Sequence, residues 1–452
     1  MSVADGFTEQ YEARTPESRR LYEERSRQTP GGVHANIKYY APYPLTFAEG
    51  RGAHLHDVDG HRYVDYLLAF GALVLGHGHP ALHQAIAGVW ERSGTVVFGA
   101  PSSEEGLLAE RIQSLYPSIE RLRYTNSGLE ATMLALRLAL AYTGRSKVAK
   151  FAGHYHGAHD RVLVSSEPAN PRAGETIASS YGLPPFVVEH TFVLPFNDWA
   201  PCDALLREHG PEIGAVILEP LLGGVVPADP AFLRQLRGFT RELGIPLIFD
   251  EVKTGFRVAL GGAQGWYQVA PDLTCLGKVI GGGLPIGVVG GRRDLIDLCS
   301  PLRSPKEGGP VFHSGTFNAN PLALSAGLAT VGVLEEPGVF PALVAHADRL
   351  RAGLEQAGAA CGFQVRTAGI GTVFDLFFAE EAPKDAPAWA GTALERRRAF
   401  DFFAMARGVF TKPQHRLSVS TAHDDATARK SLEAWAGAFS DLGRALARPT
   451  AS

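Results

Sequence analysis

A carboxylate and an amine end two apolar runs of the sequence. Asp250 ends the run that begins at Ile245, and Lys278 ends the run that begins at Pro271. Each run has the length and composition of a buried parallel strand. The carboxyl ends of neighbouring parallel strands lie at the edge where open α/β sheets bind their ligands. The pattern therefore predicts that the amine and the carboxylate face one ligand.

Pyridoxal phosphate is a ligand that needs this pair of groups. A lysine amine forms a Schiff base with its aldehyde, and a carboxylate keeps its pyridine nitrogen protonated so that the ring accepts electrons. Lys278 precedes Gly281–Gly283, and burial there should lower the pKa of the lysine and leave a nucleophilic amine. Asp250 and Glu251 could instead serve a metal or acid–base role. Alternation along a strand puts Asp250 on the ligand side, with Val252 on the same face under the ring.

A phosphate site is predicted where a strand gives way to a long helical pattern. Asn126, Ser127 and Gly128 stand at this junction. The backbone amides of a helix N-terminus and a serine hydroxyl can hold a phosphate, which the helix dipole favours. A plain N-cap is the alternative, because Asn and Ser are preferred capping residues. Thr316, just before another helical pattern, could offer its hydroxyl and amide to a second side of the phosphate.

A histidine-rich loop follows the predicted strand Lys147–Phe151. His154, His156 and His159 have the spacing H-x-H-x-x-H. Binuclear zinc hydrolases place an aspartate before the last histidine, whereas here it comes after, so the metal interpretation is weak. Tyr155 could instead stack on a flat cofactor, a contact worth about 1 kcal/mol beyond burial, with His156 beside it. A structural role is the alternative for each histidine.

Glu219 is another carboxylate at the end of an apolar run, which begins at Val216. It could form an ion pair with an arginine on the substrate side, or it could cap a loop. The sequence favours neither interpretation.

The elements that position these residues follow from periodicity. Between about 80 and 330, apolar runs alternate with helical patterns, which predicts an α/β fold with a mostly parallel wound sheet. The expected domains are 1–75, with a helix over 11–28 and short strands that join a small domain and dimer contacts, 76–330 as the large cofactor-binding domain, and 331–452 as a small α+β domain. A Pro/Ala-rich stretch at 380–390 looks disordered. The clearest predicted strands are Lys147–Phe151, Gly214–Glu219, Pro246–Val252, Leu273–Leu276 and Ile286–Gly290.

Composition excludes several classes of protein. The 452 residues carry a net charge of −4 with no basic stripe, which argues against a nucleic-acid partner. The four cysteines are scattered, which favours reduced thiols in a cytoplasm over disulfides or a zinc site. The polar N-terminal segment is unlike a secretory signal, and the apolar stretches are too short to span a bilayer. A cytoplasmic protein without a membrane partner is expected.

Several motifs occur in a fixed order over roughly residues 25 to 440, and together they identify a family. The chain resembles the class III aminotransferases of pyridoxal-phosphate fold type I, and within them the glutamate-1-semialdehyde aminomutase-like subgroup. The motifs are Pro30–Val33, Asp57–Gly60, Gly76–Pro80, Asn126–Gly128, Tyr155–Gly157, Phe249–Val258, Pro271–Lys278 and Gly290–Arg292.

The resemblance implies a role for each site residue. Lys278 is implied to be the Schiff-base lysine and Asp250 the partner of the pyridine nitrogen. Ser127 and Gly128 are implied to hold the phosphate, and Tyr155 to stack on the ring. A ping-pong reaction is implied, in which one lysine is both leaving group and general base. The threonine at position 316 is implied to reach the phosphate of the neighbouring subunit, so a homodimer with shared active sites is expected.

Departures from the subgroup concern the substrate. Lys38 stands where the aminomutases carry an arginine that clamps the substrate carboxylate, and lysine lacks the bidentate fork. The loop after Pro220 is shorter than in the aminomutases, which suggests release of product. Arg416 could supply a carboxylate clamp from the other side. Similar relatives act on β-amino acids with aromatic side chains or on D-phenylglycine, and Tyr39–Tyr40 and Phe70 could line such a pocket or belong to the core.

The sequence therefore predicts an aminotransferase that moves an amino group between an amino acid or amine and a 2-oxo acid such as 2-oxoglutarate or pyruvate. The first alternative is glutamate-1-semialdehyde 2,1-aminomutase, which moves the amino group within one molecule. A non-catalytic protein of the same fold that binds a partner or nucleotide is the second. A zinc hydrolase built on the three histidines is the third.

Overall fold

The computed structural model describes residues 3–166 and 175–447, so the predicted domain ends at residues 1 and 452 lie outside it. Its strands are β1 (Phe47–Arg51), β2 (His54–Asp57), β3 (Arg62–Asp65), β4 (Arg121–Thr125), β5 (Lys147–Phe151), β6 (Val164–Ser165), β7 (Ile177–Ala178), β8 (Thr191–Leu194), β9 (Ile213–Leu218), β10 (Leu221–Leu222), β11 (Val226–Pro227), β12 (Leu247–Asp250), β13 (Leu273–Gly277), β14 (Gly287–Gly291), β15 (Arg366–Ile370), β16 (Val373–Phe377), β17 (Val409–Phe410) and β18 (Leu417–Ser418).

The helices lie between and after these strands. They are α1 (Val3–Arg14), α2 (Pro16–Ser26), α3 (Leu68–Gly71), α4 (Pro80–Ser93), α5 (Ser103–Leu115), α6 (Gly128–Thr143), α7 (Pro185–Glu189), α8 (Trp199–His209), α9 (Pro230–Glu242), α10 (Gly262–Tyr267), α11 (Arg293–Ile296), α12 (Pro321–Glu335), α13 (Val339–Ala360), α14 (Ala386–Ala390), α15 (Leu394–Ala406) and α16 (Asp425–Ala447).

The largest sheet has the strand order β4-β14-β13-β12-β9-β5-β8. Strands β13, β12, β9, β5 and β8 run parallel, whereas β14 is antiparallel to both of its neighbours. All six residues of β9 are buried, because Ala215 and Ile217 pack in one apolar core and Val216 and Leu218 pack in another. The predicted α/β fold with a mostly parallel sheet is confirmed.

Smaller sheets connect the two ends of the chain. Strands β1, β2 and β3 form an antiparallel sheet that β17 extends, with Val409 opposite Val64 in a parallel register. Strands β15, β16 and β18 form another antiparallel sheet. The N-terminal and C-terminal segments thus share a sheet, while the division into domains at 75 and 330 stays a prediction.

Several sequence-based predictions of local structure differ from the structure. The region predicted as one helix over 11–28 contains parts of two helices. The helical conformation is interrupted at Thr15, and α2 begins at Pro16. Strand β12 ends at Asp250 and not at Val252, so strand alternation does not place Val252. The stretch at 380–390 was expected to be disordered, but it contains α14, whose Asp385 cap accepts a hydrogen bond from the amide of Ala388.

Helices α12 and α13 follow one another in the chain and are rich in apolar residues. Among the described residues, no single helix is long and apolar enough to cross a membrane. Only taken together are α12 and α13 long and apolar enough, and they meet at a bend of 76°.

Candidate active site

Lys278 and Asp250 lie at the same edge of the large sheet. Strands β12 and β13 are parallel neighbours with Asp250 opposite Cys275, and Lys278 follows β13 directly. Lys278 has a φ of +51°, which lies in the left-handed region. Residues other than glycine rarely adopt this conformation, and those that do cluster at functional sites. Gly282 continues this path with a φ of +58°, and a Cβ there would come within 2.7 Å of Leu82. The backbone around the lysine is therefore fixed in an unusual conformation.

The environment of Lys278 favours its neutral amine. Burial and the positive charges of Arg416 and Lys253 together lower the pKa of Lys278 to about 7, against the opposing charges of Asp250 and Glu219. Within the described part of the chain, the side chain of Lys278 forms no hydrogen bond or ion pair. A neutral amine with no partner is a competent nucleophile and proton acceptor.

The pKa of Lys278 predicts the pH dependence of its reactivity. We expect acylation of Lys278 by a small amine reagent, in cofactor-free protein, to accelerate as the pH rises through about 7 and then to level off, because only the neutral amine reacts. Mass spectrometry of the digested protein measures the reaction at each pH, with the exposed Lys306 as internal reference. A rate for Lys278 that still climbs steeply between about pH 8 and pH 10, near an ordinary lysine pKa, would contradict this assignment.

Asp250 is a buried carboxylate that stays ionised. One oxygen accepts a hydrogen bond from the amide of Val252 at 3.1 Å, and the other is 2.8 Å from Nδ1 of His156. Burial alone would raise the pKa of Asp250, but the hydrogen bond from His156 and the charge of Lys253 hold it below its ordinary value. Burial lowers the pKa of His156, so the imidazole is neutral and its Nδ1–H donates to the carboxylate. The pair presents a negative charge to the site.

The predicted phosphate cradle is the N-terminus of α6. Ser127 is the N-cap, and its hydroxyl accepts a hydrogen bond from the amide of Glu130 at 3.2 Å. A Cβ on Gly128 would lie 2.6 Å from Val252, so glycine is required where these two segments meet. Val252 thus packs against the cradle, although it lies beyond the strand that was expected to orient it. The capping role of Ser127 is observed, whereas its binding of phosphate stays a prediction.

Thr316 lies in an exposed turn beside this cradle. The side-chain amide of Asn126 donates to Oδ1 of Asn318 at 2.8 Å, which connects the cradle to the turn. Thr316 itself lines an open cavity of about 950 Å³ together with Phe98 and Arg123. Its expected contact with a neighbouring subunit stays a prediction.

A buried lysine anchors the histidine-rich loop. Nζ of Lys150 donates to the carbonyl oxygens of His154, Val162 and Val164 at distances of 2.7 to 2.9 Å. Three such hydrogen bonds require the charged ammonium, since the neutral amine has only two protons. The anchor fixes the loop that carries Tyr155, whose side chain is half exposed at its tip.

The histidines of this loop make separate contacts. Nδ1 of His154 accepts from the amide of Glu219 at 2.9 Å, whereas His156 pairs with Asp250. Nε2 of His159 lies 3.4 Å from the hydroxyl of Thr132. In the described ranges, no group of three His, Cys, Asp or Glu residues is arranged to hold a metal ion.

Glu219 forms an ion pair that sequence reasoning missed. One of its oxygens pairs with Nζ of Lys253, and the other accepts from the amide of Tyr155 at 2.9 Å. The same ammonium lies 5.3 Å from the centre of the Tyr155 ring. Lys253 lies three positions after Asp250 in the same motif, and a lysine so close to the predicted site could have indicated this ion pair. Of the two interpretations for Glu219, the structure shows an ion pair, but with this lysine and not with an arginine.

Arg416 is a buried cation near Lys278. Its Nη2 donates to the carbonyl oxygen of Phe70 at 2.7 Å, and within the described residues it forms no ion pair. Leu68, Ala69 and Phe70 all have left-handed φ angles of +46° to +61°, an arrangement that costs roughly 1–2 kcal/mol per residue. This turn gives the arginine an uncharged acceptor and leaves its charge uncompensated.

Lys38 and the predicted aromatic pocket lie beside a separate cavity of about 410 Å³. Lys38 is exposed, and it lines this cavity with Tyr40, Phe70 and Lys412. Tyr39 is 39% exposed and its ring lies 6.4 Å from that of Tyr22. The structure therefore brings together two of the three predicted aromatic side chains.

These groups fit pyridoxal phosphate. An unpartnered amine, an ionised carboxylate, a helix N-terminus and an exposed aromatic ring match an aldehyde, a pyridine nitrogen, a phosphate and a flat ring. Because a Cβ at position 128 would clash with Val252, only backbone atoms of Gly128 lie at the predicted phosphate site.

Comparisons with known proteins agree on one family. The family model described as aminotransferase class-III matches residues 37–431. A curated relative from Desulfitobacterium hafniense (strain Y51), named glutamate-1-semialdehyde 2,1-aminomutase, is 41% identical over 92% of this chain and 96% of that protein. An omega-transaminase structure from Sphaerobacter thermophilus has a TM-score of 0.88 at 37% identity, covering 94% of this chain and 97% of that one. A structure described as a transaminase with PLP bound has a TM-score of 0.87 at 31% identity, covering 95% and 98%.

Proposed function

The chain belongs to the class-III aminotransferases, a family that uses pyridoxal phosphate, and from this premise we propose that it moves amino groups with Lys278 as the proton carrier. When bound, the cofactor supplies an aldehyde that condenses with amines and a ring that accepts electrons from the substrate carbon. The observation that carries the proposal is the position of the half-buried Lys278 at the same sheet edge as the buried Asp250, with the pKa of each group lowered.

The residues of the site divide the work. Nζ of Lys278 takes a proton from the substrate carbon and returns it to a neighbouring atom, acting as general base and then general acid. Asp250 would keep a proton on the pyridine nitrogen of the bound cofactor, and His156 orients that carboxylate through the 2.8 Å contact. Ser127 and Gly128 would hold the phosphate at the positive end of α6. Tyr155 would cover one face of the ring and exclude water from it.

The finer proposal is glutamate-1-semialdehyde 2,1-aminomutase activity. Its support is the 41% identity to a curated aminomutase over 92% of this chain, which favours the aminomutase over the aminotransferase expected from the sequence. An aminomutase completes its reaction within one molecule. The test is to supply glutamate-1-semialdehyde to the holoenzyme with no 2-oxo acid and to measure isomerisation. No isomerisation under these conditions would refute this assignment.

Aminotransfer between two molecules is the second candidate. The buried Arg416 without a carboxylate partner favours it, because that cation can bind the carboxylate of an amino acid and then of a 2-oxo acid. The exposed Lys38, in place of the subgroup's arginine, points the same way. The same assay separates the candidates, since an aminotransferase turns over only when 2-oxoglutarate or pyruvate is added.

Substitution of Arg416 tests its role toward the substrate. We expect Arg416→Ala to raise KM for carboxylate-bearing substrates at least about tenfold, because charge-assisted hydrogen bonds are worth about 1.5–3 kcal/mol, and to change KM for simple amines far less. Steady-state kinetics on matched pairs, an amino acid and the amine that lacks its carboxylate, measure the difference. Equal changes for both substrates would remove Arg416 from the site.

A homodimer with shared active sites is part of the proposal. Phe98, Phe312 and Phe317 are 50% to 76% exposed. Phe98 lines the cavity that Thr316 also lines, and Phe312 and Phe317 are next in the chain to residues that line it. Large apolar side chains exposed together are typical of a protein interface. Sedimentation over a range of protein concentrations measures the oligomeric state.

A further inference from the structure

Among the residues that the structure describes, none forms an ion pair with Arg416, although the charges of two acids act on it. The side chain is 9% exposed, and burying an unpaired charge is costly. The negative charges that act on it are those of Glu219 and Asp375. Each of these acids already has its own cation, since Lys253 pairs with Glu219 and Arg397 pairs with Asp375. Because both acids are paired with other cations, the charge of Arg416 remains available to an anionic ligand.

The charge of Glu219 acts on Arg416, and Lys253, which pairs with Glu219, lies beside Arg416 at the turn of Gly224. A Cβ placed on Gly224 would lie 3.2 Å from Cβ of Lys253 and 3.7 Å from Cδ of Arg416. The two cationic side chains thus flank the same glycine. Glu219, which is 1% exposed, gives one oxygen to Lys253 and the other to the amide of Tyr155. Both oxygens are occupied in this arrangement.

We propose that Lys253 is a positioning residue that sets specificity for carboxylates, because it holds Glu219 and so keeps Arg416 free to bind an anionic substrate. This inference rests on the proposed function, in which Arg416 binds the substrate carboxylate. Without Lys253, Glu219 would be a buried carboxylate without its cation. Lys150 also feels the charge of Glu219, but its ammonium already donates to three carbonyl oxygens. Arg416 is a neighbouring cation without an ion pair among the described residues, so it could compensate Glu219, and that internal ion pair would then compete with the substrate.

The proposal predicts a specific pattern in a double-mutant cycle. The probe is succinate, an unreactive dicarboxylate, titrated into the holoenzyme by calorimetry. We expect Lys253→Met to weaken succinate binding at least about tenfold. The double variant Lys253→Met/Glu219→Gln should recover to within about threefold of Glu219→Gln alone, because no carboxylate remains to occupy Arg416. Lys253→Arg should bind succinate as the wild type does.

Other outcomes overturn the proposal. Unchanged binding by Lys253→Met would show that Lys253 does not protect Arg416. An equal loss in the double variant would show a packing defect or a direct contact, since removal of Glu219 cannot repair either. Failure of the wild type to bind succinate would also overturn it. Because binding is measured without turnover, these results are distinct from failure of the proposed function, which would appear as no amino transfer by a wild type that still binds succinate.

Discussion

Lys278→Ala should abolish turnover while the chain still folds. General acid–base catalysis alone contributes about 10²–10⁴-fold, and this variant also loses the covalent attachment, so we expect a loss above about 10³-fold. The amine is half-buried and its pKa is lowered to about 7. The unfolded chain therefore binds this proton more tightly between about pH 7 and the ordinary lysine pKa, and the cost of burial is greatest below pH 7. The cofactor-free variant should accordingly have a Tm at least as high as that of the cofactor-free wild type near neutral pH.

The position of the cofactor can be checked on the wild type. Borohydride reduction followed by digestion should place the cofactor on the peptide that contains Lys278. Lys150, which is also buried but donates to three carbonyl oxygens, serves as the internal comparison. Substantial turnover by Lys278→Ala, or a label on another peptide, would refute the assignment.

Asp250→Asn is expected to have the second largest effect. An amide keeps the size of the carboxylate but carries no charge, so the proton on the pyridine nitrogen loses its stabilisation. Preorganised charges of this kind are worth about 10²–10³-fold in rate, and we expect kcat to fall by that amount. The contact with His156 persists as an ordinary hydrogen bond, so the fold should be retained. Single-turnover kinetics on holoenzyme measure the loss.

Glu251 provides the matched control for Asp250. It is fully buried next to Asp250, but its oxygens accept hydrogen bonds from the amides of Ala263 and Gln264 and from the hydroxyl of Thr254. Glu251→Gln should therefore lower Tm and leave kcat of the folded protein within a few-fold of wild type. Equal losses of kcat in the two variants would mean that charge at Asp250 has no special role.

The sequence predicted the parallel sheet well because its strands are buried on both faces. Such strands appear as short apolar runs, and the predicted run Lys147–Phe151 has the bounds of β5. The edge where Lys278 and Asp250 meet follows from the parallel direction of β12 and β13. These features depend on local composition and on one general rule of α/β sheets.

Contacts between distant segments were not predictable in the same way. The sequence gives no pattern that pairs Glu219 with Lys253, because the choice between Lys253 and Arg416 depends on how the loops meet at Gly224. The expected disorder at 380–390 was wrong for a related reason. Trp389 packs against Phe377 with the ring centres 5.4 Å apart, and tertiary packing of this kind overrides a Pro/Ala-rich composition.

The pairing of β17 with β3 has a consequence for biosynthesis. Val409 must leave the ribosome before the sheet that contains Val64 can be completed. Arg416 lies further along the chain still, so its charge reaches Lys278 only after the segments that carry Asp250 and Lys278 have been made. A nascent chain released early would hold the lysine and the aspartate without the guanidinium beside them. The maturing enzyme should therefore acquire its affinity for anionic substrates later than it acquires the pair of Lys278 and Asp250.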